Sequence, residues 1–212
     1  MRRIQLDSWE IEKTIKGIND VSNQIRGVIK HPERIFGFKD NKIQLLLENI
    51  REVLLYWTGN TYIGSPKAER LKKVFNDFFC ELYNFIWFVI KDTHFTEDFQ
   101  IALHDKALFQ GTVYRYLGYS SDEYQKHKDN IQLVEPVYDN VYVSWNKESG
   151  NNYLSGKLYG PITQIECNIS GDYYGIDLTF FGVCRGEEQE VVFPTIKDTL
   201  TKIEYLRIED YE

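Results

Sequence analysis

The chain has 212 residues, 42% of them hydrophobic and 15% aromatic, so it can bury a core and is not intrinsically disordered. Its net charge of −7 excludes the broad basic face typical of nucleic-acid-binding proteins, although a local basic patch stays open. The three cysteines, Cys80, Cys167 and Cys184, and four scattered histidines show no metal-ligand spacing, which predicts reduced thiols and no metal. No signal peptide is visible, and the most apolar stretch, residues 78–90, is too short to span a bilayer. We therefore expect a cytoplasmic protein with no membrane partner.

Apolar residues at three- and four-residue spacing predict that the first half of the chain is helical. In the second of these helices, the predicted apolar face includes Leu45. The predicted helices run from Trp9 after the cap Asp7-Ser8, from about Lys42 to Gly59, from Ser65-Pro66 through Val89, and from about Thr96 to Lys106.

After Gly111 the pattern changes to short β-rich runs separated by glycines and polar turns. The predicted strands are Thr112–Leu117, Val137–Trp145, Ile162–Ile169, Gly175–Phe181, Glu188–Phe193 and Lys202–Arg207. Helices followed by a mostly antiparallel sheet predict the α+β class. We expect a helical N-terminal region over residues 1–108 and a β-rich core over residues 109–212, together forming one compact unit.

Three features recur in order along the β-rich half. Arg115 lies between tyrosines in the first strand, and Ser144 lies near the end of the second. Glu188 and Glu190 precede Val-Val-Phe-Pro in a later strand. Because alternate residues of a strand share a face, these two glutamates project together, about 6–7 Å apart. Like charges at that spacing cost stability and are typical of chemical sites, the alternative being a solvated strand edge.

With these motifs the chain resembles the mono-ADP-ribosyltransferases of the Arg-Ser-Glu class, the group that contains clostridial and cholera-like toxins. In that family an aromatic-Arg strand comes first, a Ser strand second, and a Glu-x-Glu-Val-hydrophobic-hydrophobic-Pro strand last. The resemblance covers roughly residues 111–207. It implies a split β-sheet core that binds NAD as a co-substrate. It also implies an intracellular toxin or effector that transfers ADP-ribose to a macromolecule. Because such an enzyme would harm its own host when free in the cytoplasm, an antitoxin protein that neutralises it is an expected partner.

The resemblance also implies a role for each residue. Glu190 would stabilise the positive charge that builds on the ribose as nicotinamide leaves, and Glu188 would activate the acceptor. Arg115 would hold a diphosphate oxygen, and Ser144 would bond to Glu190 or the ribose. The remaining candidates are Tyr114 and Trp145 for the cofactor, with a core position as the alternative, and Phe181 and Arg185 for the acceptor.

Two positions depart from the family pattern. The second motif reads Ser144-Trp145-Asn146, with an amide where the family often has a hydroxyl, and Tyr116 follows Arg115 where a small residue is common. A glutamate at position 188 favours arginine in a protein as the acceptor. The alternatives are a transferase that modifies RNA or DNA in phage defence, and a binding module without catalytic activity.

Overall fold

The computed structural model describes residues 8–34, 41–59, 66–119, 124–126, 132–138, 140–149, 158–183 and 189–207, and the statements below concern these residues. The class is α+β, with a helical N-terminal half and an antiparallel seven-stranded sheet, as predicted. Two compact units are present. The first comprises Met1–Leu108 and Asp177–Glu187, and the second comprises Phe109–Ile176 and Glu188–Glu212.

The first unit is built on four helices: α1 (Ser8–Lys30), α2 (Asn41–Gly59), α3 (Pro66–Lys91) and α4 (Glu97–Ala107). Helix α1 packs against α2 and α3, and α4 packs against α3. The apolar stripe predicted for α1 is buried, from Ile11 through Ile25. Leu45 of α2 is 57% exposed, contrary to prediction. Its position lies about 100° around the helix from the buried Leu46, outside the stripe that faces the other helices.

The second unit contains most of the sheet. The seven strands of the sheet are β1 (Leu108–Phe109), β2 (Gly111–Tyr119), β3 (Tyr142–Asn146), β4 (Tyr159–Ile169), β5 (Gly175–Asp177), β6 (Glu190–Pro194) and β7 (Leu200–Arg207). Their order across the sheet is β1-β5-β6-β3-β2-β4-β7. The pairs β2–β3, β2–β4, β3–β6 and β4–β7 are all antiparallel.

One face of the sheet forms the core of this unit. The buried side chains of the core are Val113, Trp145, Ile165, Cys167, Ile169, Val191 and Phe193. They occupy alternate positions of β2, β3, β4 and β6, because successive residues of a strand point to opposite faces. In β6 the residue between Val191 and Phe193, Val192, is also buried, so that strand is covered on both sides.

Two predicted strands are shorter than expected. The strand predicted from Val137 begins only at Tyr142, because Asn140 adopts a left-handed backbone with φ of 54° that interrupts the extended run. The strand predicted over Gly175–Phe181 ends at Asp177 and continues as a 3-10 helix over Leu178–Phe181. Asp177 caps that helix by accepting a hydrogen bond from the Thr179 amide at 2.9 Å.

None of the described helices is both long and apolar enough to cross a membrane.

Candidate functional site

The strands that carry Arg115, Ser144 and Glu190 are neighbours in the sheet. Their order is β6-β3-β2, near the middle of the seven strands. Strands β3 and β6 pair continuously from Tyr142 opposite Pro194 to Asn146 opposite Glu190. The Lys147 amide then donates to the Gln189 carbonyl at 3.1 Å, which extends the contact past the end of β3. Backbone hydrogen bonds thus fix the Ser strand against the Glu strand.

Ser144 and Glu190 lie on the same face of the sheet. Ser144 is opposite Val192, and Glu190 is two residues before Val192 on the same strand. Residues on this diagonal are about 7–8 Å apart, with the side chains on one side. Ser144 is exposed, and Glu190 is half-buried. The structure therefore brings together the predicted serine and the second of the two predicted glutamates.

Asn146 lies closer to Glu190 than Ser144 does. The two residues are directly opposite each other, a position at which Cβ atoms are about 4.5–5.5 Å apart. An amide can donate to a carboxylate as well as accept from a hydroxyl, so Asn146 has the chemistry to orient Glu190. In the sequence, Asn146 stood out only as a departure from the family pattern. Its placement depends on the β3–β6 register, which local sequence does not specify.

The pair Glu190 and Asn146 is part of a row of opposite positions that continues across the sheet. Tyr114 on β2 is opposite Asn146, and Glu166 on β4 is opposite Tyr114. Glu166 accepts a hydrogen bond from the Thr201 hydroxyl at 2.7 Å. Tyr114, predicted to bind the cofactor, is thus on the face that carries Glu190 and is half-buried. Nothing in the sequence singled out Glu166 as a member of this row.

Trp145 points to the opposite, apolar face. Its side chain is 1% exposed and belongs to the core cluster. The indole N–H donates to the Phe193 carbonyl at 2.9 Å, which satisfies its one polar group. A ring in this position offers no surface for a cofactor to stack on. Of the two predicted roles for Trp145, the structure favours the core position, where it ties β3 to β6.

Arg115 is on a neighbouring strand but on the other face from Tyr114. It is opposite Ile165, and its neighbour two residues away is the buried Val113. Strand alternation therefore directs Arg115 toward the side of the sheet that carries Trp145, whereas Ser144 and Glu190 point to the other side. Arg115 as a whole is half-buried.

Glu188 and Arg185 lie outside the described residues, so their predicted roles stay predictions. Phe181 belongs to the first compact unit, at the end of the 3-10 helix. Its ring is 6% exposed and packs edge-on against Phe180, with 5.0 Å between the ring centroids.

Strands β2 and β3 meet at a single described register position, Tyr114 opposite Asn146. In contrast, β2 pairs with β4 along most of its length, from Gly111 to Tyr119. The sheet is therefore continuous within β2-β4-β7 and within β3-β6, and weakly joined between them. The row of positions Glu190, Asn146, Tyr114 and Glu166 crosses from β3 to β2 at this point.

Within the described part of the chain, no three His, Cys, Asp or Glu side chains come together in a way that could hold a metal ion. Comparison of the chain with protein-family models, with curated proteins and with solved structures finds no match in any of the three.

Proposed function

We propose that the chain is an NAD-dependent mono-ADP-ribosyltransferase, an intracellular toxin or effector that transfers ADP-ribose to a macromolecule and releases nicotinamide. The observation that carries the proposal is the pairing of β3 with β6, which sets Ser144 and Glu190 on one face of the sheet, with Asn146 directly opposite Glu190. Adjacency of the Arg, Ser and Glu strands in the order β2-β3-β6 also supports it. The weak join between β2 and β3 agrees with the split sheet that the family resemblance implies.

Breaking the bond between ribose C1′ and the nicotinamide nitrogen leaves positive charge on the ribose, as in glycoside hydrolysis. The electron pair of that bond leaves with nicotinamide. The Glu190 carboxylate supplies fixed negative charge where the positive charge develops, and such preorganised charge lowers a barrier by about 3–4 kcal/mol. The acceptor then bonds to C1′ and loses a proton, for which Glu188 is the proposed base.

Ser144 and Asn146 would hold the Glu190 carboxylate in place. Both are on its face of the sheet, and a hydroxyl and an amide can each donate to a carboxylate oxygen. A carboxylate held by two donors cannot rotate away from the ribose. Tyr114, the next residue in the row, would close this side of the NAD site.

The test uses NAD labelled in its adenylate half and measures transfer of that label to macromolecules. Wild-type protein incubated with cell lysate should transfer label to macromolecules, and Glu190→Gln should lower the rate by about 10²–10³-fold with the same melting temperature. Glu166→Gln is the matched control, because Glu166 is on the same face of the sheet, two strands beyond Asn146. It should retain the wild-type rate. Equal rates for wild type and Glu190→Gln would contradict the proposal.

The same experiment separates the acceptor classes. Label that is removed by protease and resists nuclease indicates a protein acceptor, which Glu188 favours. The opposite sensitivity indicates RNA or DNA. A chain that transfers no label and releases no heat on titration with NAD would be a binding module.

A further inference from the structure

Strand β7 ends the sheet. It pairs with β4 on one side, and among the described residues no strand pairs with its other side. The N–H and C=O groups on the outer side of a terminal strand are a template for pairing with another strand. Proteins usually block such an edge, so the side chains of β7 decide whether it is blocked or open to one partner.

The charges on β7 alternate around a central apolar residue. Lys202 and Glu204 flank Ile203 and share a face, and the Lys202 ammonium is in an ion pair with the Glu204 carboxylate. A lone lysine on an edge strand prevents pairing, because a second copy would place lysine against lysine. A lysine and a glutamate two residues apart behave differently. In an antiparallel second copy their order is reversed, so each lysine can lie opposite a glutamate.

When β7 pairs antiparallel with β7 of a second copy, one residue at the centre lies opposite its own copy. Of these three residues, only one can take the central position without placing like charges opposite each other. Centring on Lys202 or on Glu204 sets that residue against its own copy. Centring on Ile203 sets Lys202 opposite Glu204 of the second copy, twice by symmetry. Opposite-charge pairs across strands stabilise a sheet, and like charges directly opposite destabilise it.

Exposed apolar side chains lie beside this edge. Tyr205 on β7 is 53% exposed, and its hydroxyl donates to the Glu135 carboxylate at 3.4 Å. This hydrogen bond places the segment that contains Glu135 next to β7, and the charge of Glu135 raises the pKa of Tyr205. Val137 and Tyr138 in that segment are 67% and 45% exposed. A second copy across the edge would cover this apolar surface.

We propose that the chain forms a homodimer in which β7 pairs antiparallel with β7 of a second copy, centred on Ile203. The interface has two-fold symmetry, so one surface supplies both halves. Its polar part is a set of four alternating charges, two from each copy. The dimer does not depend on the proposed transferase activity, and its failure would leave that proposal unchanged.

The test is sedimentation velocity from about 1 to 100 µM protein. Wild type should form a dimer, whereas K202E and E204K should each raise the dissociation constant about tenfold or more, because each substitution sets like charges together twice. The matched controls are K16E on α1 and E48K on α2, which make the same charge changes at exposed positions and should leave the dimer intact.

Mixing the two variants provides the decisive measurement. In a mixture of K202E and E204K, each charged side chain at positions 202 and 204 meets the opposite charge in the other variant. The mixture should therefore form a heterodimer at concentrations at which each variant alone is mostly monomeric. A wild-type chain that stays monomeric, single variants that stay dimeric, or a mixture that stays monomeric would each overturn the proposal. Circular dichroism of each variant alone verifies that it is folded.

Discussion

Trp145→Phe tests whether the ring of Trp145 belongs to the core or to the NAD site. The substitution removes the indole N–H that donates to the Phe193 carbonyl at 2.9 Å, in a place where the ring is 1% exposed. Losing the partner of a buried polar group costs about 1–3 kcal/mol. The smaller ring leaves about 40 Å³ empty, which adds about 1 kcal/mol at about 24 cal/mol per Å³. We expect the free energy of unfolding to fall by about 2–4 kcal/mol.

The assay is guanidinium denaturation followed by circular dichroism, together with calorimetric titration of NAD at a temperature where the variant is folded. Trp57→Phe is the control, because Trp57 is half-buried and its described contacts are edge-on with Phe75 and Phe79. It loses volume without the bond to a strand carbonyl and should cost about 1 kcal/mol. Unchanged stability of Trp145→Phe with a tenfold loss of NAD affinity would refute the core assignment.

Two further predictions concern packing and thiol chemistry. A Cβ at position 175 would overlap the Val191 side chain, so Gly175→Ala should lower the free energy of unfolding by about 1–3 kcal/mol. The control is Gly17→Ala, where a Cβ on the helix meets nothing within 4 Å. This substitution should raise the free energy of unfolding by about 0.5–1 kcal/mol in the same denaturation assay. Burial and then the charge of Asp77 raise the pKa of Cys80 above its ordinary value, which lowers its thiolate fraction at pH 8. Asp77→Asn should lower that pKa and speed maleimide labelling of Cys80 at pH 8, measured by peptide mass spectrometry, and an unchanged rate would contradict the electrostatic cause.

The helices could be predicted because their signal is local. Apolar residues at helical spacing must face one side, and the buried stripe of α1 from Ile11 to Ile25 follows that spacing residue by residue. Leu45 is an exception. It is as apolar as Leu46, but it lies at the edge of the apolar stripe, outside the surface that packs against the other helices, and is therefore exposed.

The ends of the strands could not be predicted because they depend on single backbone conformations. The run from Val137 to Trp145 reads as continuous strand, yet Asn140 takes a left-handed conformation that asparagine tolerates better than most residues. The run from Gly175 to Phe181 also reads as continuous strand, yet the carboxylate of Asp177, the last residue of β5, accepts a hydrogen bond from the Thr179 amide and starts a turn of 3-10 helix. Each outcome depends on a hydrogen bond or backbone angle that apolar alternation does not encode.

The sequence proposes the residue types of the candidate site but not their geometry. The order of the Arg, Ser and Glu strands along the chain does not state which strands are neighbours or which residues are opposite. The β3–β6 register adds Asn146 to the site and shows that Trp145, next to it in sequence, faces the core. Strand alternation alone predicts that these two side chains diverge, but not which of the two faces the solvent.

Arg115 decides how far the proposed site extends along NAD. Ser144 and Glu190 are held on one face by the continuous β3–β6 pairing, so the contacts proposed for the ribose rest on fixed backbone geometry. Arg115 points to the other face of β2, a strand that is joined to β3 only at Tyr114 and Asn146. From the other face of β2, the long Arg115 side chain could contact the diphosphate only where β2 and β3 no longer pair. The bond-breaking step needs the carboxylate near the ribose and does not need this contact. The transferase proposal therefore depends on Glu190, and in that proposal loss of the Arg115 contact would lower NAD affinity alone.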